Sequence, residues 1–181
     1  MIGHAKPSDY GAAALTMPTP TYTSADTQRT PGGTTSLDEV LFDAKATAKI
    51  LTSHVSMYLR DGWRDKLFYQ LDNLLDPEEW DPQDKPLQEQ SFNTFLKAIC
   101  DLQPKVRPGL GISHAGHLIA AWRSPQSDRV SIEFVPGDRV KLVGTTSMND
   151  DPVHFSALAS VANLKATLRQ FNCAEWIGCS A

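Results

Sequence analysis

The chain has 181 residues, 41% hydrophobic and 21% charged, with a formal net charge of −4 and a pI near 5.7. Those values fit one globular domain plus a tail, and they weigh against a protein built mainly to hold nucleic acid, because phosphate binding draws on clustered Lys and Arg. Three cysteines without framework spacing (Cys100, Cys173 and Cys179), no signal-like apolar stretch near Met1 and no bilayer-length apolar run predict a cytoplasmic protein that folds without disulfides.

Residues 1–35 are rich in Thr, Pro, Ala and Gly and poor in large apolar side chains. Too little burial is on offer to offset the entropy of ordering them, so they are expected to form a flexible tail. The competing expectation is a segment that orders on a partner, anchored by Tyr10, Leu15, Met17 and Tyr22. Residues 36–181 are expected to form a single α+β domain.

Ser36 and Glu39 have the spacing of a capping box, and Leu37, Val40, Leu41, Ala44, Ala48, Leu51 and Val55 follow at helical period. They predict a helix over 36–58, broken by Asp61-Gly62. Trp63, Leu67, Leu71 and Leu74 share one stripe of a second helix, 63–75, which completes a helical hairpin. The loop DPEEWDPQDKP follows, with three prolines and five carboxylates around Trp80. Trp80 either plugs the helices or anchors an exposed acidic surface, with Asp76, Glu78, Glu79 and Asp81 as its rim. Phe92, Phe95, Leu96, Ile99 and Leu102 line a third helix over 91–102.

From 108 to 146 the pattern changes to period two, with turn residues between short runs. Leu118, Ala120 and Trp122, then Val130, Ile132 and Phe134, then Val140 and Leu142, fall on one face, with Ser131, Glu133 and Lys141 opposite. The expectation is a three- or four-stranded antiparallel β-meander packed against flanking α-helices. SMNDDP (147–152) reads as a loop, and Leu158, Val161, Leu164, Leu168 and Phe171 suggest a last helix over 155–171. Trp176 and Ile177 are expected to tuck against the core.

No stretch assembles a catalytic set, a cofactor motif or a full set of metal ligands. Gly111-Ile112-Ser113-His114-Ala115 lacks the second glycine and the βαβ context of a nucleophile elbow. His114 and His117 flank a turn and supply two ligands at most, which supports a metal-dependent hydrolase only as an alternative. Glu133 suits a cross-strand ion pair with Arg123, Arg139 or Lys141 better than a general base. Cys100 has apolar neighbours that do not activate a thiol. Lys105, Arg107, Arg123, Arg129, Arg139 and Lys141 make an RNA-binding sheet face a further alternative, weakened because Trp122 and Phe134 fall on the inner side.

The segment from Trp80 to Val143 resembles a loosely defined set of small, mostly uncharacterised bacterial proteins. The shared pattern is Trp80-Asp81 and Pro86, Arg107-Pro108, Gly116, a strand ending at Trp122, and Ile132-Glu133-Phe134 before Pro136-Gly137-Asp138. It covers about a third of the chain, and the first and last helices lie outside it. The resemblance implies an accessory or neutralising partner of toxin–antitoxin or phage-defence type and carries no catalytic residues. The sequence therefore leads to a non-enzymatic protein that binds another protein, without cofactor, metal or membrane. Trp80, Asp76, Glu78, Glu79, Asp81, Tyr10 and Tyr22 are the candidate contacts.

Overall fold

Ser36 takes up extended backbone and its Oγ accepts from the Glu39 amide at 3.2 Å, so the first helix starts at Leu37. The computed structural model describes residues 36–81, 83–148 and 151–179. Helix α1 is Leu37–His54, and the chain then tightens into a 3₁₀ turn, Ser56–Tyr58, where a continuous helix was expected. Gly62, at φ 70°, opens α2 (Trp63–Leu74), and α3 is Glu89–Leu102. Five strands follow: β1 Gly109–Ile112, β2 Leu118–Arg123, β3 Arg129–Val135, β4 Arg139–Met148 and β5 Asp151–Ser160. Helices α4 (Val161–Gln170) and α5 (Cys173–Ile177) close the described chain.

The expected α+β meander is present, with five strands in the order β1-β2-β3-β4-β5, all antiparallel. β4 runs on to Met148 and the extra strand starts at Asp151, so strands take up the described ends of the predicted 147–152 loop and the front of the predicted 155–171 helix. Phe155, Ala157 and Ala159 alternate with His154, Ser156 and Leu158, and pairing with β4 takes up that period of two. The last helix starts only at Val161. Leu158, expected in the core stripe of that helix, is 81% exposed.

The helices cover one face of the sheet. Leu118, Ala120, Trp122, Val130, Ile132, Phe134, Val140 and Leu142 are buried there, as the alternation requires, against Phe92, Phe95, Leu67 and Leu71. Trp176 is half-buried and Ile177 fully buried, both packed on the same core. The Trp122 indole N–H donates to the Val106 carbonyl at 2.9 Å, satisfying the one polar atom of the largest core side chain.

Two local devices fix this packing. Ser91 is fully buried, accepts from the Leu118 amide at 2.8 Å and donates to the Phe134 carbonyl at 2.5 Å. Leu118 and Phe134 follow directly on the last β2–β3 partners, Ile119↔Glu133, so the hydroxyl is spliced in where the ladder opens. Gly144 is the second device. A Cβ there would stand 2.5 Å from both the Arg129 carbonyl oxygen and the Phe155 ring, which itself stacks on Phe171 at 4.1 Å.

Ser91→Ala strands two buried backbone groups and is expected to cost about 2–3 kcal/mol in urea unfolding, more than Ser53→Ala on the exposed side of α1. Gly144→Ala is expected to cost about 1–3 kcal/mol in the same measurement, because a backbone oxygen cannot swing aside as a side chain would. A neutral Gly144→Ala would show that β4 and β5 can part without loss.

Candidate functional site

The face of the sheet that the helices leave open carries the chemistry. Register sets its rows. Arg123, Arg129, Thr145 and His154 are successive cross-strand partners. The next row is Ala121, Ser131, Val143 and Ser156, and the one after is Ile119, Glu133, Lys141 and Leu158. Val143 is 60% exposed and Leu158 81%. A shallow trough of about 520 Å³ lies over the first two rows, and a second of about 490 Å³ continues past Asp128 and Pro152. The two share Arg123, Arg129, Thr145 and His154.

Charge on this face runs against that of the whole chain. Among the described residues, the strands point Arg123, Arg129, Arg139 and Lys141 to this side, and Glu133 is the one carboxylate among them. Glu133 is already engaged. Its Oε1 meets His117 Nδ1 at 2.7 Å and its Oε2 accepts from Lys141 at 3.2 Å, in line with the expected cross-strand pair. Partial burial pushes the Glu133 carboxyl up, but the bonds from His117 and Lys141 outweigh it and hold the group below its ordinary 4.5. The Ser113 hydroxyl accepts from the His117 backbone amide at 3.2 Å.

His114 and His117 do not converge. His114 bonds Asp84, whose hydrogen bond and charge raise its pKa above the ordinary 6.5, while His117 turns to Glu133. No group of three potential metal-ligating side chains comes together among the described residues. Burial raises the Cys100 and Cys179 thiols, and burial with Asp128 and Cys179 nearby pushes Cys173 up to about 11, which disfavours the nucleophilic thiolate.

The acidic loop has a mixed outcome. Trp80 is half-buried against the core, and its indole N–H reaches the Asp84 carbonyl at 3.4 Å, which corresponds to the plug arrangement. Asp76 caps a 3₁₀ turn, Pro77–Glu79, through the Glu78 amide at 3.1 Å, and Asp81 accepts from Gln83 at 2.9 Å. Glu78, Glu79 and Asp81 are exposed. Tyr10 and Tyr22 lie outside the described residues. Sequence reading missed His154, Ser156 and Leu158 as members of the open face. The signal was the alternation through 153–160, masked by the spacing of Leu158, Val161, Leu164 and Leu168, which also fits a helix.

No helix among the described residues is long and apolar enough to cross a membrane. No family model matches the chain, and neither a curated protein nor a solved structure does.

The folded Glu133 carboxyl titrates below its ordinary 4.5, so its contribution to stability is present above that value and is lost as pH falls through the lowered one. Thermal melts from about pH 5 to about pH 3 are therefore expected to fall less steeply for Glu133→Gln than for the parent. Parallel curves would show that the pairing with His117 and Lys141 has no thermodynamic weight.

Proposed function

We propose that the protein is a non-enzymatic interaction protein that binds another protein through the open face of its sheet. The observation that carries this reading is the pair of exposed apolar side chains, Val143 and Leu158, set among cations on the side of the sheet that the helices do not cover. An antiparallel sheet tolerates one wet face, but that face is ordinarily polar. Apolar anchors ringed by charge are the usual make-up of a contact surface. The neutralising or accessory role implied by the resemblance is one use of such a surface.

The RNA alternative is less well supported. Trp122, Phe134 and Phe155 are buried on the helix side, so among the described residues the open face offers a base no ring but the imidazoles of His154 and of His117, which Glu133 holds. The hydrolase alternative loses its focus because the two imidazoles serve different carboxylates.

A photo-crosslinking residue at Leu158, in the full chain expressed in cells, is expected to give one discrete protein adduct that Val143→Asp abolishes. The same residue at Phe42, which is 69% exposed on α1, is expected to give none. Equal adducts at both positions, or none at Leu158, would overturn the reading.

A further inference from the structure

Arg123 and Arg129 are directly opposed across β2 and β3. Like charges in that position destabilise a sheet. Among the described residues neither guanidinium has a carboxylate within 4.0 Å. The acid next to them in sequence, Asp128, is turned away: it is buried, and its Oδ1 accepts from the Ser147 amide at 2.9 Å and the Ser147 hydroxyl at 3.1 Å. The fold has thus committed this carboxylate to holding the β2–β3 turn against the end of β4.

The rest of the row adds donors. Thr145 Oγ1 and His154 Nδ1 lie 2.9 Å apart. When the hydroxyl donates, the ring proton sits on Nε2, leaving a second donor on the shared floor of the two troughs. The hydroxyls of Ser131 and Ser156 border the same space. Two guanidinium groups, an imidazole N–H and hydroxyls that can donate suit an oxyanion, and Arg binds carboxylates in bidentate fashion.

We propose that the Arg123–Arg129–His154 row is a subsite for carboxylate side chains, and that the occupant is an extended, acidic and apolar segment of a partner protein. This rests on the open-face reading above. Val143 and Leu158 beside the cations favour a peptide over a nucleic acid, whose backbone offers phosphates but no aliphatic groups to cover them. The spacing follows from the sheet. The arginine row and the Leu158 row are four residues apart along each strand, roughly 13 Å, so an extended segment places its carboxylates about four residues from its apolar anchor.

The test uses the full chain and two fluorescein-labelled decapeptides, one with paired aspartates four residues from paired leucines, the other with asparagines in place of the aspartates. Anisotropy is expected to show the aspartate peptide binding at least about tenfold more tightly. Arg123→Gln and Arg129→Gln are each expected to weaken it by about tenfold or more while raising the unliganded melting temperature by about 1–3 °C at low salt, because the opposed charges are relieved. Stabilisation together with lost binding separates a ligand subsite from a structural role. Equal binding of the two peptides, or full binding by both Arg variants, would overturn the subsite. So would tighter binding of an oligouridine twelve-mer, or concentration-dependent self-association lost in Arg129→Gln, which would assign the row to RNA or to a second copy. Binding that is lost in Leu158→Asp but kept in both Arg variants overturns the subsite and leaves the open-face reading intact. Failure of the Leu158 crosslink removes both.

Discussion

The architecture depends on one buried hydroxyl. Ser91, in the first turn of α3, stands between the Leu118 amide and the Phe134 carbonyl and satisfies both. A helix laid on a sheet is otherwise held by apolar contact, which is strong but indifferent to small slides. The hydroxyl makes the position specific. Thr94, one turn on, shares its hydroxyl proton between the Gln90 carbonyl of its own helix at 3.0 Å and the Val135 carbonyl at 3.3 Å. With α3 pinned to the β2–β3 pair, Phe95 meets Phe134 edge-on and Phe92 tilts against Phe95, and α1 and α4 pack on α3.

That arrangement decides which side of the sheet is left over. All the apolar stripes of the helices go to the face of Trp122 and Ile132, and nothing in the described chain covers the face of Arg129 and Val143. The outer rows then differ in how well they are balanced. Glu133 neutralises the neighbourhood of His117 and Lys141, whereas among the described residues the arginine row has no such group. The contrast between two rows of one sheet, parted by the Ser131–Val143 row, sets the arginines apart from the histidine turn.

Much of this was readable in the residues. The period-two runs from 118 to 142 assigned inner and outer faces correctly because each run was bounded by Pro, Gly or Asp and carried strong β-formers. The cap at Ser36 worked for the same reason, since its signal is local. The sequence misleads at 155–160, where the alanines favour a helix and Leu158 falls in helical spacing with Val161 and Leu164. Only pairing with β4, a non-local contact, settles that segment as a strand. The role of Ser91 is equally hidden: its place marks only the start of a helix, and its two partners lie 27 and 43 residues away in the chain. The opposition of Arg123 and Arg129 needed the exact hairpin register, which composition does not supply.

The close approach of Phe155 to Gly144 has a consequence for that same outer surface. The second half of β5, from Ser156 to Ser160, is mostly small side chains on both sides, and such a strand holds its alignment weakly. Sliding it by one residue would bury His154 and Leu158 and turn Phe155 out to water. Only a bare glycine lets the Phe155 ring sit where it does, so the pair acts as a key in a notch. A glycine on the hidden side of the sheet therefore determines which atoms the molecule presents to its surroundings.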